Sequence, residues 1–261
     1  MQMLELKAKL KNKERVLGTM VTVFQNPDIA KILKECGYDF FIIDCEHGYF
    51  TFSEVERIIS VARAISLPVL VRIAEIRREL VLKFMEMGAN GLLLPNTETK
   101  EQAELLVKYS KYAPMGERGV SLSRPHTEFK KVNGREYMDR ANEESILLCQ
   151  IESEKGVKNV EDIIGVEGID VAFVGPNDMS QDYGILGKFD DPIMETSLQK
   201  IVDAAKAAGK VAGVHFGGEE ETVKWINRGY QMNMCGSDVG AMMAGAKASR
   251  QFIEEHTKEE E

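Results

Sequence analysis

Eight short apolar runs recur along the chain, and most show no alternation with polar residues. They lie at 17–23 (LGTMVTV), 40–44 (FFIID), 68–73 (PVLVRI), 91–95 (GLLLP), 146–152 (ILLCQIE), 170–175 (DVAFVG), 210–215 (KVAGVH) and 231–236 (QMNMCG). A strand that is apolar on both faces must be covered on both, as in a parallel sheet under helices. Between the runs lie segments with helical spacing, among them DIAKILKECG, FSEVERIISVARAIS, RRELVLKFMEMG and LQKIVDAAKAAG. Gly37, Gly88, Gly168, Gly209 and Gly229 end several of these, where a left-handed residue is expected. Length alone leaves one or two domains open. Eight alternations in 261 residues predict a single (β/α)8 TIM barrel, α/β and parallel, over 1–261. A doubly wound open sheet would usually carry a glycine-rich fingerprint after its first strand, and VTVFQNPDIA has none.

The segment 113–144 has no clear period and is long for a connection, which marks it as a functional loop or an interface excursion. The closing EEHTKEEE reads as a solvated tail. A net charge of −9 and a pI near 5.2 argue against a nucleic-acid or anionic-membrane surface. No apolar run approaches the roughly 20 residues that cross a bilayer, and the N-terminus lacks a signal peptide's apolar stretch. Cys36, Cys45, Cys149 and Cys235 show neither close pairing nor metal spacing, so a cytoplasmic protein with reduced thiols is expected.

A parallel barrel collects its chemistry at the C-terminal ends of its strands, and polar residues fall there repeatedly. The second run ends in Asp44, Glu46 and His47, the third in Arg72, the fifth in Glu152. GPNDMS, carrying Asp178, follows the sixth; the seventh ends in His215, and the eighth leads to Ser237 and Asp238. Glu152 and Asp178 on neighbouring strands make a hard oxygen pair suited to Mg, Mn or Co, although each acid alone is equally a helix cap. Histidine suits general base chemistry near neutrality, so His47 is a catalytic candidate with Asp44 orienting its ring. Arg72 offers a fork for a carboxylate or enolate oxygen, or else an ion pair with Asp44 or Glu46. Glu46 reaches either a metal-bound water or an arginine. His126 and His215 read as packing residues. CGSDVGA is either an anion-binding turn or a turn needing small residues.

DFFIIDCEHG, PVLVRI, GANGLLLPNTET, APMGERGV, LLCQIESEKGVKNVEDIIGVEGIDVAFVGPNDMSQDYG and GSDVGAM together resemble the HpcH/HpaI aldolases, over nearly the whole chain. These are class II, divalent-metal-dependent pyruvate aldolases, among them enzymes acting on 4-hydroxy-2-oxoheptanedioate and on 2-keto-3-deoxy sugar acids. The resemblance implies that Glu152 and Asp178 bind the metal and that a 2-oxo acid chelates it. It implies that Arg72 stabilises an enolate and that His47, oriented by Asp44, transfers protons. Backbone amides of Gly175, Pro176 and Asn177 would hold the pyruvyl carboxylate. It further implies a homo-oligomer, a hexamer built as a trimer of dimers with the last helix exchanged. An aldehyde is the other small-molecule partner. No lysine lies inside a strand, which separates this reading from a Schiff-base aldolase. Asn96-Thr97 stands where many relatives have Met-Val, and His215 is more polar than expected; both bear on the aldehyde.

Two other readings compete. An acyl-CoA lyase of the citrate-lyase β-subunit type would need basic residues near the mouth, for which Arg118, Arg124, Lys130 and Lys131 are candidates. A non-catalytic metabolite-binding barrel is disfavoured by the intact set Asp44, His47, Arg72, Glu152 and Asp178.

Overall fold

The structure, a computed structural model, describes residues 2–257. Strands β1 (Val16–Val21), β2 (Phe40–Asp44), β3 (Val69–Arg72), β4 (Gly91–Leu94), β5 (Ile146–Ile151), β6 (Val171–Val174), β7 (Val211–Phe216) and β8 (Met232–Ser237) all fall within two residues of the expected runs. They pair in sequence order, all parallel, and β8 closes on β1. The expected TIM barrel is the observed fold.

Side chains alternate in and out along each strand. The inward set includes Val16, Phe40, Ile42, Leu70, Leu93, Ile146, Leu148, Val171, Phe173, Val211, Met232 and Met234, one buried cluster. Large and small residues interlock within it. A Cβ at Gly18 would sit 2.6 Å from the Phe40 ring, and one at Gly213 would sit 2.5 Å from the Phe173 ring. Leu6 and Leu10 of helix α1 (Gln2–Lys11) join the same cluster, so α1 packs over the N-terminal end of the barrel.

The outward set packs under α2 (Ile29–Glu35), α3 (Phe52–Ala64), α4 (Arg78–Met87), α5 (Lys100–Ser110), α7 (Glu154–Lys158), α8 (Val160–Ile164), α9 (Pro176–Asp182), α10 (Pro192–Ala207) and α11 (Glu219–Asn227), while α6 (Gly134–Glu144) contributes nothing to it. Thr51 and Thr99 open α3 and α5 with reciprocal capping boxes to Glu54 and Gln102. Within 113–144, Pro125–Thr127 forms a 3-10 turn and α6 a helix. No residue of α6 is fully buried, and its half-buried side mixes Tyr137, Met138 and Ala141 with Asn142 and Glu144, too short a stripe in too polar a helix to reveal its period.

The last helix, α12 (Asp238–His256), departs from the pattern. Only Asp238 of its 19 residues is buried, and Met242, Met243, Phe252 and Ile253 are exposed. It includes Glu254, Glu255 and His256 of the expected tail; residues 258–261 lie outside the described residues.

Candidate active site

Strand parity brings the polar residues together. Continuing the inward set upward from Phe40 and Ile42 gives Asp44, from Leu70 gives Arg72, and from Ile146 and Leu148 gives Gln150 and Glu152. The same step leads from Phe173 to Gly175 and from Val211 to His215. All stand at the C-terminal mouth.

The parallel register sets Asp44 beside Arg72, and they form a buried two-pronged ion pair. Arg72 Nε donates to Asp44 Oδ1 at 2.9 Å and Nη2 to Oδ2 at 2.6 Å. Arg72 Nη1 lies 3.1 Å from Glu46 Oε2, so one guanidinium spans both acids. Asp44 Oδ1 also accepts the backbone N–H groups of Glu46 at 3.0 Å and His47 at 3.2 Å. Burial pushes the Asp44 carboxyl up, but Arg72 and these amides outweigh it and hold it below its ordinary value. Glu46 moves the other way: burial raises it, and Arg72 only partly offsets that.

Asp44 thus holds the backbone at His47, whereas its side-chain partner is Arg72 rather than the imidazole. The ring is largely exposed, and its Nε2 lies 3.9 Å from Glu46 Oε2. The acid beside the imidazole is Glu46.

Glu152, buried at the top of β5, accepts the main-chain N–H of Asn96 at Oε1 and Gln150 Nε2 at Oε2, both at 2.6 Å. Burial raises its carboxyl to about 7, with the Asp178 charge adding to the effect against these hydrogen bonds. Asn96 reaches this position through a left-handed turn at φ 48°. Its contribution is a backbone group, which its side-chain type does not advertise. Gln150 escapes sequence reasoning for a different reason: its side chain serves Glu152, a partner that only the folded strand supplies. Ile151 pairs with Val174, so Glu152 and Gly175 are the next step in that register. A Cβ on Gly175 would overlap the Glu152 carboxylate and lie 2.6 Å from Gln150 Nε2. Gly175→Ala is therefore expected to destabilise the fold by about 1–3 kcal/mol through overpacking, measured by denaturant unfolding.

Asp178 is exposed in the first turn of α9. Of the amides expected to hold a carboxylate, Pro176 has no N–H and that of Gly175 is taken by Ile151 O at 3.4 Å. Only the first-turn amide of Asn177 remains of the three.

Other candidates have structural placements. His215 Nε2 lies 2.8 Å from Gly236 O, and burial lowers its pKa. Asp238 takes the N–H groups of Thr22, Val23 and Phe24 and the Thr22 hydroxyl, which ties the start of α12 to the loop after β1. His126, Arg118 and Lys130 line a cavity shared with Asn90 and Ser145, which precede β4 and β5. That is the opposite end of the barrel from the mouth. Arg124 faces Glu86 at 4.0 Å. The basic set considered for CoA phosphates therefore lacks Arg118 and Lys130.

Does the mouth fit a divalent cation? Asp44, Glu46 and Glu152 act on one guanidinium, and Asp178 adds its charge to that of Glu46 and Glu152, an arrangement that repels an anionic substrate unless a cation is added. Burial raises both Glu46 and Glu152; Arg72 offsets this only in part at Glu46, and the Asp178 charge adds to it at both acids. No group of three or more potential metal ligands exists among the described residues. Two carboxylates with room for substrate and water suit Mg and similar ions, which keep several non-protein ligands. The residues fit the group.

Comparison with known proteins places the chain among relatives. The model of the HpcH/HpaI aldolase/citrate lyase family matches residues 20–244. The chain is 32% identical over 244 residues to 5-keto-4-deoxy-D-glucarate aldolase of Escherichia coli (strain K12), covering 93% of this chain and 94% of that one. The crystal structure of an HpcH/HpaI aldolase from Desulfitobacterium hafniense DCB-2 superposes with a TM-score of 0.93 at 36% identity, covering 98% and 99% of the two chains. The citrate synthase SbnG superposes with a TM-score of 0.85 at 28% identity, covering 96% and 97%.

Proposed function

The chain belongs to the HpcH/HpaI aldolase/citrate lyase family and is a carbon–carbon lyase, and from that premise we propose that it makes or cleaves a C–C bond through a pyruvate enolate. The substrate class is a 4-hydroxy-2-oxo acid, with pyruvate and an aldehyde as products. The observation that carries this reading is the meeting of Glu152 and Asp178 with the Asp44–Arg72 pair at one mouth. Glu152 and Asp178 would hold the divalent cation (Mg, Mn or Co), which supplies Lewis-acid stabilisation of negative charge developing on the 2-oxo acid.

The residues divide the remaining work. His47, exposed at the mouth, takes the proton from the C4 hydroxyl as the C3–C4 bond breaks. The bonding pair moves toward the C2 oxygen, and the remaining N–H groups of Arg72 meet the charge there. His47 then returns its proton to C3, which balances the cleavage as pyruvate plus aldehyde. Asp44 fixes both partners: it locks the guanidinium and pins the backbone that carries His47. Condensation runs the same steps in reverse.

Pyruvate methyl-proton exchange in D2O, followed by NMR, tests the enolate step without any aldehyde. Chelator-treated protein is expected to lose exchange and to regain it with Mg, Mn or Co. Full exchange without metal, or none with any metal from folded protein, would overturn the reading.

We also propose that the protein is a homo-oligomer whose α12 packs on a neighbour, a hexamer by the family resemblance. The exposed Met242, Met243, Phe252 and Ile253 on a helix with little burial of its own support this. The double substitution Met243→Glu, Phe252→Glu is expected to reduce the mass seen by light scattering while keeping the barrel's circular dichroism. We place the protein in the cytoplasm: its four cysteines are free thiols, and no helix among the described residues is long and apolar enough to cross a membrane.

A further inference from the structure

A cavity of about 310 Å³ lies at the N-terminal end of the barrel, between the ends of α3 and α4, the 3-10 turn and α6. Four cations line it, Arg63, Arg118, Lys130 and Arg140, against two acids, Glu128 and Glu144. In a chain of net charge −9, this is a local reversal of sign.

The acids neutralise the rim. Glu128 pairs with Lys130 and lies 3.9 Å from Arg63, and Glu144 lies 3.7 Å from Arg140. Arg118 is different. It is 6% exposed, makes no ion pair among the described residues, and its Nε and Nη2 are enclosed without a hydrogen-bond partner. It rests on the Tyr112 ring, its Cζ 4.5 Å from the centroid. The acid acting on it is Glu86, which forms no ion pair with it, and burial outweighs that attraction and lowers the guanidinium's pKa; a buried charge so weakly compensated is costly to a fold. Beside it, His126 turns Nδ1 toward Glu86 O at 3.1 Å, so Nε2 is the free acceptor of a neutral ring, enclosed and without a partner. Its pKa, lowered by burial to about 4, keeps it uncharged.

We propose that this cavity binds a small anion bearing a phosphate or carboxylate group, with Arg118 as its buried counter-charge and Lys130 and Arg140 at its entrance. The guanidinium fork matches either group with paired N–H donors. The site is remote from the mouth, so its occupant is an effector or a stabilising ion rather than a substrate. The anion would tie the 3-10 turn and α6 to the ends of α3 and α4.

The test uses metal-stripped full-length protein, in which the mouth has lost its means of attracting anions. Inorganic phosphate and malonate are titrated separately by calorimetry at constant ionic strength, alongside thermal melts. Saturable binding near one per chain with a raised Tm is expected for at least one probe. Saturation by phosphate alone assigns a phosphate-bearing ligand, by malonate alone a carboxylate, and by both the shared chemistry. Lys130→Ala with Arg140→Ala alters only exposed side chains and is expected to weaken binding about tenfold. Arg118→Gln is expected to abolish it. Should Arg118→Gln fail to fold, the double variant decides. No saturable binding of either probe, or undiminished binding in the double variant, would overturn the proposal.

Discussion

Arg72→Ala is expected to slow pyruvate proton exchange by about 10²–10³-fold, the scale found when a donor to developing negative charge is removed. It is also expected to cost about 3–5 kcal/mol of stability, because Asp44 would remain buried without its partner. Both effects follow from one geometry. The guanidinium meets Asp44 with Nε and Nη2 and Glu46 with Nη1, leaving its other N–H groups for a ligand. Arg72→Lys would not restore it, since an ammonium presents a point charge rather than a planar fork. Denaturant unfolding and NMR exchange on the same samples separate the two losses. Near-wild-type exchange from folded Arg72→Ala would remove Arg72 from the chemistry.

The pH dependence of stability gives a second signature of the same pair. Burial raises the Asp44 carboxyl, Arg72 more than offsets that, and the net displacement is below its ordinary 3.8. An acid lowered on folding contributes stability that is present above its unfolded value and is lost as pH falls through its folded one. The wild type should therefore weaken on acidification below about pH 4. Arg72→Ala, lacking that contribution, should show a shallower acid limb.

Glu152→Gln is expected to lower metal-dependent exchange by on the order of 10³-fold or more, since it removes charge from the group proposed to hold the cation. The fold should survive. Burial raises the Glu152 carboxyl to about 7, so loss of its charge is tolerated, and Gln150, whose Oε1 is buried without a partner, turns its amide to accept from the new NH2 while the Asn96 N–H keeps an acceptor oxygen. Asp178→Asn, on an exposed residue, should reproduce the catalytic loss with little change in stability. Exchange that keeps its full rate and metal dependence in both variants would refute the assignment of these acids.

The barrel was legible because apolar runs and helical spacings recur on either side of 113–144, and parity then carries Asp44, Arg72 and Glu152 to one end. The ion pair of Arg72 with Asp44 and Glu46 was among the expectations, and the structure forms it with both acids. The main-chain partners were not legible: the N–H groups of Asn96, Glu46 and His47 belong to the backbone, which no side-chain type advertises. Helix α6 was hidden because its few apolar residues, Tyr137, Met138 and Ala141, are only half-buried in an otherwise polar stretch. The charged residues of 113–144 raised the same difficulty, since their composition alone could not say which end of the barrel they line.

The close fit of Gly175 against Glu152 has a hereditary consequence. The backbone there has an ordinary φ of −101°, so any residue could adopt it; the glycine is required by its neighbour rather than by its own conformation. A lineage that enlarges position 175 while keeping Glu152 and Gln150 bears a stability cost, because a Cβ there meets both side chains. Positions 150, 152 and 175 should therefore drift as a group, with room made at 150 and 152 before the glycine is replaced at little cost.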